Sequence, residues 1–575
     1  MKKKCISQLA KQASLFAQRI SQITVCALFF VACGGGDITD IPGEEPGTGT
    51  TEPSASEYTL YGKIYCNGTG VSNVVVTDGY LFSVTDFDGY YHLKSLKEHG
   101  YVYITIPSGY EPAGRNGIVM PFFKYTQKDA FTEERIDFEL KQVNNTNHTL
   151  LVMTDAHFIN NGDGSGKNDI SQVNSLLMPE LRSAVSQHKA LEKPLYCLCL
   201  GDMVEDIYWT SFSYSNYLSL MREVNMPFFH TMGNHEYSVA YSGDWNTAKD
   251  YKHYLGPPYY SFNLGSIHYV VIDDMICTNP GNGLTRSVTG QIDDAQLAWL
   301  QKDLSFVDKN TPVVLATHIP VFNETVSGSG AVSHPVSLSN GKALNDLLAN
   351  YKEVYYLTGH THINKSAQAG NILERNIAAV SGSWWFTLRE GYSARHICCD
   401  GSPGGYQLYN MQGAKVSWQY KGLGQSVNKQ FRTYDRNQIH ITAAKYCPNG
   451  TSSGKTNFNS TFSREYGTAN TENYVYINIW GWDPAWKLEV KENGASLTPT
   501  RMAAYDPLKI IAYEAMYTDK QKTVYDYAMA NQSTHFFRVK ASSAASTLEI
   551  KVTDRFGNVY TETMTRPKVF DINAD

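Results

Sequence analysis

Long hydrophobic runs are nearly absent from this 575-residue sequence. The apolar run ITVCALFFVA, at 23–32, is too short for a permanent membrane span, since a helix needs about 20 apolar residues to cross a bilayer. No later stretch is long and apolar enough either. The 39 tyrosines and 45 glycines instead favour a globular, β-rich protein.

Cysteines in the spacing of a zinc motif or a disulfide framework are also lacking. Seven of the ten cysteines follow Cys33, at irregular intervals. Cys197 and Cys199 alternate within a strand-like segment and are interpreted as small buried hydrophobic residues. The sequence predicts no disulfide, and the adjacent Cys398 and Cys399 do not have the spacing of zinc ligands.

An excess of positive charge is lacking: outside the N-terminus, acidic residues outnumber basic ones. Residues 1–32 contain five basic and no acidic residues, so their removal moves the formal net charge from -6 to -11. A surface of this sign does not attract nucleic acid, and we predict no nucleic-acid partner. Affinity for an anion must therefore be local, as at a metal site.

The first 57 residues resemble an export signal followed by a linker. Basic residues precede the apolar run and Cys33 follows a small alanine, as in bacterial lipoprotein signals. This implies a signal peptide at 1–32, diacylation of Cys33 and a lipid anchor in the bacterial cell envelope, at the periplasmic face or the cell surface. Secretion after simple cleavage is the alternative. Residues 33–57 contain no Lys or Arg and predict a flexible tether.

Short β-type runs alternate with turn residues from 58 to 145, which predicts a small β-sandwich. The stretch VTDFDGYY resembles carboxypeptidase-regulatory-like domains, and we expect a spacer without a ligand of its own. The stretch 423–575 again alternates β-type runs and turns, which predicts a C-terminal β-rich domain.

From residue 146 the pattern changes to apolar strands that end in polar clusters and are followed by helical periodicity, as α/β layers require. Open α/β sheets gather functional groups at the carboxyl ends of their strands, so five strand ends are predicted to form one site. They carry Asp155 and His157, Asp202, Asn234 and His235, His318, and His360 and His362.

These residues have the chemistry of a two-metal centre. Oxygen and imidazole ligands without thiolates suit Mn, Fe or Zn, and Asp202 can bridge two ions. With two carboxylates and one bridging hydroxide, two dications leave a charge of about +1, which suits a phosphate. We assign Asp155, His157 and His362 to one ion, and Asn234, His318 and His360 to the other.

The five blocks occur in the order D-x-H, G-D, G-N-H-E, H and G-H-x-H, and residues 146–422 therefore resemble the calcineurin-like metallophosphoesterases. The resemblance implies a four-layer α/β/β/α sandwich, here flanked by two β-rich domains. It also implies phosphoester hydrolysis with a metal-bridging hydroxide as nucleophile, and makes His235 a non-ligand that assists the leaving group. The three-part order resembles exported Bacteroidetes-type members.

Departures from two subfamilies narrow this interpretation. Purple acid phosphatases place a tyrosine ligand just after the G-D block, whereas this chain reads GDMVED. Ser/Thr protein phosphatases have Asp-Arg-Gly there and an arginine where Met232 stands. Membership of either subfamily is therefore disfavoured. The sequence does not decide whether the substrate is a phosphomonoester or a phosphodiester. Either Glu205 or Asp206 could orient His235, because their offset from Asp202 does not decide between them.

Substrate selection needs residues beyond the metal ligands. Trp384, Trp385, Asp400 and Tyr406 follow the last metal histidine and could bind a phosphorylated sugar, inositol or nucleotide. Core packing and turn formation are the alternative roles for these residues. A different class of function also stays open: a surface glycan- or lipid-binding lipoprotein with a structural metal site.

Overall fold

The structure is a computed structural model that describes residues 58–115, 117–160, 169–205, 211–326, 331–387 and 396–573. Cys33, the expected signal and the tether lie outside the described residues. The chain divides into two compact units, 1–53 and 54–575, and the described residues all belong to the second. In the described ranges, no helix has both the length and the apolar character needed to cross a bilayer.

The N-terminal domain is formed by ten short strands in two sheets. A six-stranded sheet contains β2-β1-β10-β7, with β5 and β9 also paired to β1, and a second sheet has the order β4-β3-β6-β8. The strands are β1 (Leu60–Cys66), β2 (Thr69–Gly70), β3 (Val75–Thr77), β4 (Phe82–Val84), β5 (Tyr90–Leu93), β6 (Tyr101–Ile104), β7 (Tyr110–Pro112), β8 (Phe123–Tyr125), β9 (Glu134–Arg135) and β10 (Phe138–Gln142).

Fifteen strands follow among the described residues between 146 and 422. They are β11 (Asn147–Met153), β12 (Leu195–Cys199), β13 (Phe228–His230), β14 (Tyr260–Leu264), β15 (Ile267–Val271), β16 (Met275–Cys277), β17 (Val288–Gly290), β18 (Val313–Ala316), β19 (Thr325–Val326), β20 (Val332–Ser333), β21 (Val354–Thr358), β22 (Lys365–Ala369), β23 (Ile372–Asn376), β24 (Gly405–Gln412) and β25 (Lys415–Gly422). One sheet has the order β13-β12-β11-β24-β25 and the other β14-β15-β18-β21-β23-β22.

The two large sheets pack face to face. Successive residues of each strand point to opposite sides, so each sheet has one face toward the other sheet and one face toward the helices. Leu150 of β11 lies in the core shared with the second sheet, whereas its neighbour Leu151 packs among helical residues on the other face. Phe229 and Phe262 stack across the two sheets with ring centroids 3.7 Å apart.

Helices cover the outer faces and complete the predicted α/β/β/α order, which is thereby confirmed. Leu181 and Met221 pack on the first sheet from helices Met178–Ala190 and Tyr214–Arg222. A capping box between Ser213 and Asn216 begins the second of these helices. The other α-helices of the region are Asp169–Gln172, Asp244–Thr247, Lys249–Tyr254, Asp294–Leu304 and Gly341–Leu348.

The N-terminal domain contacts an edge strand of each large sheet. Ile106 forms a β-bridge with Phe262 of β14, and Val119 forms one with Phe228 of β13. The side chains of Thr105 and Ser261 are hydrogen-bonded at 2.8 Å. This domain therefore covers backbone groups that an open sheet edge would expose.

The C-terminal domain has two four-stranded sheets, β26-β27-β31-β30 and β29-β28-β32-β33. Its strands are β26 (Phe431–Asp435), β27 (Tyr474–Ile479), β28 (Lys487–Glu492), β29 (Ala495–Leu497), β30 (Thr500–Ala504), β31 (Ser533–Lys540), β32 (Thr547–Thr553) and β33 (Val559–Thr565). Its α-helices are Ala443–Tyr446, Ser452–Asn457, Pro507–Ile510 and Met516–Asp519.

Candidate metal centre

The predicted site residues meet because β11, β12 and β13 are parallel, as are β15, β18, β21 and β23. Their carboxyl ends therefore lie at one edge of the sandwich. The loop after β11 is tied to the loop after β12: the N–H of Asp155 donates to Gly201 O at 3.1 Å, and the N–H of His157 donates to Asp202 O at 2.9 Å.

Five of these residues have a left-handed backbone conformation, with φ between 44° and 68°. This region is uncommon for residues other than glycine, and such conformations cost of order 1–3 kcal/mol each when the surroundings impose them. A cluster of such residues at one place is a mark of a functional site. The five are Asp155, His157, Asp202, His360 and His362.

One group of ligand atoms comes from Asp155, His157 and His362, all buried. Nε2 of His362 lies 3.1 Å from Nε2 of His157 and 3.2 Å from Oδ1 of Asp155. Nδ1 of His157 is 3.1 Å from the Glu205 carboxylate, which places the ring proton on Nδ1 and leaves a lone pair on Nε2. Asp155 Oδ1 is buried without a hydrogen-bond partner among the described residues.

A second group surrounds Nε2 of His318. Its Nδ1 donates to Leu200 O at 2.7 Å, so Nε2 presents a lone pair. That lone pair faces Asp202 Oδ2, Asn234 Oδ1 and His360 Nδ1, each 3.2 Å away. Asp202 Oδ2 is also 3.9 Å from Nε2 of His157, so this carboxylate lies between the two groups.

The donor atoms fit two divalent cations. Lone pairs of nitrogen and oxygen atoms, buried except at the more exposed His360, converge in each group, and such an arrangement is unfavourable unless a cation or a proton lies among them. The carboxylates act most directly on His318: burial would lower the pKa of His318, yet Asp202 and Asp155 raise it to about 10. These ligand types suit Mn, Fe or Zn and do not select one of them.

His235 lies beside these groups and is held from several sides. Its Nδ1 is 2.7 Å from Oε1 of Glu205, and its backbone N–H donates to Oδ1 of Asp202 at 2.8 Å. Burial would lower the pKa of His235, but the Asp202 and Glu205 carboxylates raise it to about 9. Both terminal nitrogens of Arg286 lie 2.8–3.1 Å from the ring nitrogens, so the guanidinium covers the imidazole.

Glu205 answers a question that the sequence left open. Its two carboxylate oxygens contact Nδ1 of His157 and Nδ1 of His235. His157, Glu205 and His235 also bring ligand atoms close enough for a metal, but here the carboxylate is a hydrogen-bond bridge between the two rings. Asp206, the other candidate, lies outside the described residues.

Sequence reasoning gave no role to Glu236, the last residue of the G-N-H-E block. The side chain is buried and accepts three backbone hydrogen bonds: from the N–H of Asp202 at 2.6 Å, of Met203 at 2.8 Å and of Gly233 at 2.7 Å. It therefore ties the loop that carries Asp202 to the loop that carries Asn234. The position of Glu236 directly after His235 was the available signal, but this spacing does not reveal which groups the glutamate binds.

Comparison with protein families matches three consecutive parts of the chain. Residues 148–364 match the calcineurin-like phosphoesterase domain, 58–143 the N terminal of calcineurin-like phosphoesterase, and 374–560 the C terminal of calcineurin-like phosphoesterase. The chain carries all three calcineurin-like phosphoesterase domains. The third match begins before β24 and β25, which the structure places in the first large sheet of the phosphoesterase.

Two curated relatives of this chain are serine/threonine-protein phosphatase CPPED1 from Pongo abelii and from Homo sapiens, at 23% and 22% identity over 192 residues. The match covers 32% of this chain, and the chain spans 59% of the length of each relative. Among solved structures, a dimetal phosphatase from Danio rerio is 14% identical, with a TM-score of 0.32, over 48% of this chain and 96% of its own. Purple acid phosphatase from yellow lupin is 10% identical, with a TM-score of 0.32, over 61% and 67%.

The adjacent residues Trp384 and Trp385 have different surroundings. The half-buried ring of Trp384 has its centroid 4.8 Å from that of His157 and 4.3 Å from that of His362. Trp385 is fully buried and donates its indole N–H to Ala156 O at 3.0 Å. Trp384 therefore borders the metal centre, whereas Trp385 supports from within the loop that carries His157.

The other two predicted substrate residues of the phosphoesterase are also buried. Asp400 accepts from the backbone N–H of Asn364 at 2.7 Å and pairs with His535 of the C-terminal domain at 3.1 Å. The hydroxyl of Tyr406, on β24, donates to Glu180 at 3.2 Å. A role in substrate binding stays a prediction for Trp385, Asp400 and Tyr406, and we build no substrate site on them.

Proposed function

We propose that this chain is a binuclear metal-dependent hydrolase of small organic phosphoesters. The observation that carries the proposal is the pair of ligand groups that share Asp202, with buried lone pairs converging in each. Asp155, His157 and His362 would hold one divalent ion, and Asn234, His318 and His360 the other, with Asp202 between them. When bound, the two ions supply positive charge to the phosphate oxygens and lower the pKa of bound water.

The protein's own contribution is orientation. Glu205 fixes which ring nitrogen of His157 carries the proton, and Leu200 O does the same for His318. Partners of this kind hold ligand rings in position and raise their basicity. Glu236 fixes the relative position of two ligand loops through three backbone hydrogen bonds.

His235 is suited to assist the departing alcohol. Its Nδ1 is engaged by Glu205, while Nε2 lies 3.9 Å from Asp202 Oδ2 and is directed toward the centre. With Glu205 holding Nδ1, His235 would donate a proton from Nε2 to the leaving oxygen as the phosphorus–oxygen bond breaks.

Phosphoproteins are a second substrate class to test, because the two curated relatives are named serine/threonine-protein phosphatases. The GDMVED block and Met232 depart from the pattern of Ser/Thr protein phosphatases, and we therefore place phosphoproteins second. Nothing in the three matched domains favours the alternative of a glycan- or lipid-binding protein whose metals are only structural.

We also propose that the enzyme is an exported Bacteroidetes-type lipoprotein, anchored through Cys33 in the bacterial cell envelope. The support is the sequence pattern of residues 1–57 alone. A tether of this composition and length has a random-coil reach of about 25–30 Å, which would keep the enzyme near the membrane.

The decisive experiment is a substrate panel on chelated protein reconstituted separately with Mn, Fe and Zn. The panel contains an aryl phosphate, the matching aryl diester, a sugar phosphate, a nucleotide and a phosphopeptide. We expect turnover only after metal addition, with small phosphates hydrolysed faster than the phosphopeptide, and loss of turnover in His362→Ala. If no reconstituted form hydrolyses any member above the His362→Ala background, the proposed function is wrong.

A further inference from the structure

Two tyrosines of the C-terminal domain extend a row of aromatic rings that begins at Trp384, beside the metal centre. Tyr527 contacts Trp384 edge to face with centroids 4.7 Å apart, and Tyr525 stacks on Tyr527 at 5.3 Å with the two planes 13° apart. We call Trp384, Tyr527 and Tyr525 the aromatic row. Tyr525 and Tyr527 are 43% and 54% exposed, so both rings are accessible to a ligand.

The row is held in place by buried contacts on both domains. Lys509 is fully buried in the C-terminal domain and donates to the Ser383 hydroxyl and, at 3.3 Å, to Ile397 O. This anchors the segment in which Trp384 has a φ of 49°. On the other side, the backbone N–H of Tyr525 donates to the hydroxyl of Tyr513 at 3.0 Å.

The row lies within reach of a phosphate at the metal centre. The centroid distances of 4.3 Å from His362 to Trp384 and 4.7 Å from Trp384 to Tyr527 keep Tyr527 within 9 Å of a ligand ring. The alcohol portion of a small phosphoester occupies this range when its phosphate is bound. Flat faces of Trp and Tyr attract the faces of other rings through dispersion and quadrupole interactions.

We propose that the aromatic row binds the leaving alcohol of the substrate, and that this alcohol carries a ring. The shared chemistry is a flat or apolar ring face, which a nucleobase, an aryl group or a sugar ring can each present. An acyclic alcohol such as glycerol lacks it. This inference rests on the proposed function and adds two residues, Tyr525 and Tyr527, that no metal motif contains.

The test compares specificity ratios, that is, kcat/KM for a ring-bearing phosphate divided by kcat/KM for glycerol phosphate. A nucleoside monophosphate, phenyl phosphate and a hexose phosphate serve as the ring-bearing substrates and distinguish the three sources. Ring stacking on an aromatic side chain is worth about 10- to 100-fold in binding. We expect Tyr527→Ala to lower the ratio about 10-fold or more for the preferred ring, and Tyr525→Ala to lower it less.

Two controls separate a ring face from other roles. Tyr527→Phe keeps the ring and should retain the wild-type ratio. Phe131→Ala removes an 85% exposed aromatic side chain from the N-terminal domain and should leave every rate unchanged. Metal content and Tm of Tyr527→Ala should equal those of the wild type, because an exposed side chain contributes little to either.

The outcomes are distinguishable. A wild-type enzyme that hydrolyses glycerol phosphate as well as every ring-bearing phosphate, with ratios unmoved in Tyr527→Ala, overturns the role of the row and leaves the hydrolase intact. If Tyr527→Phe lowers the specificity ratio as much as Tyr527→Ala does, the proposal that the ring face binds the alcohol is wrong, and the hydroxyl contributes through a hydrogen bond instead. Absence of any turnover in wild type overturns the proposed function itself.

Discussion

Replacing Glu205 with glutamine changes one carboxylate oxygen to an NH2 group with little change of shape. In the structure, Oε1 lies 2.7 Å from Nδ1 of His235 and Oε2 lies 3.1 Å from Nδ1 of His157. A glutamine can accept from only one of these rings and turns an N–H toward the other. Either His157 loses the partner that keeps a lone pair on Nε2, or His235 loses the partner that holds its proton.

The size of the effect follows from charge and burial. A hydrogen bond to a charged group contributes about 1.5–3 kcal/mol. The Glu205 side chain is only 9% exposed, so water cannot replace the lost contact. One lost contact therefore corresponds to a fall in kcat/KM of about 10- to 100-fold, the usual range for partners of metal-bound histidines.

The assay is kcat/KM on an activated aryl phosphate, measured together with metal content and Tm. Glu139→Gln is the matched control, because Glu139 is an exposed carboxylate on β10 of the N-terminal domain. A Glu205→Gln enzyme that keeps full metal content and a kcat/KM within twofold of the control would refute the reasoning.

Four further changes have expected outcomes. Asp202→Asn should reduce occupancy of both metal sites, and elemental analysis that finds two ions per chain would contradict the shared position of this carboxylate. His235→Ala should retain both ions yet lose about 100-fold in turnover, more for an alkyl than for an aryl phosphate; equal losses would argue against proton donation. Trp385→Ala should lower the free energy of unfolding by about 3–5 kcal/mol in a denaturant titration, because the side chain is fully buried; a loss below about 1 kcal/mol would place it outside the core. Cys33→Ser should move the protein from the membrane to the soluble fraction, and a wild-type protein that is already soluble would rule out the anchor.

The sequence was most informative where strand ends carry the chemistry. Asp155 and His157 were predictable because a buried strand ends directly before them, and parallel strands direct such ends to one edge. Glu205 was not separable from Asp206, because the loop that holds both has no periodicity that fixes which side chain turns inward. In the structure, Glu205 is the residue that contacts His235, and it also contacts His157. His157 lies 48 positions before Glu205 and His235 lies 30 positions after it.

The tryptophan pair shows a second limit. Trp384 and Trp385 are adjacent and chemically identical, and only the backbone conformation sends one to the metal centre and the other into the core. Asp400 was predicted to bind substrate, yet its partner His535 lies 135 residues later in another domain. Residue type and local spacing cannot reveal a partner that distant.

The contact of the N-terminal domain with β13 and β14 has a consequence for how this protein can be shortened. A chain that starts near residue 146 would retain every candidate metal ligand but would uncover Phe228 and Phe262 on the terminal strands of two different sheets. Such bare strands pair readily with copies of themselves. The 86 residues matched as the N-terminal domain, 58–143, therefore protect these strands from pairing with other copies of the chain. We expect a chain without them to aggregate and to give a low yield, although its candidate metal ligands would be unchanged.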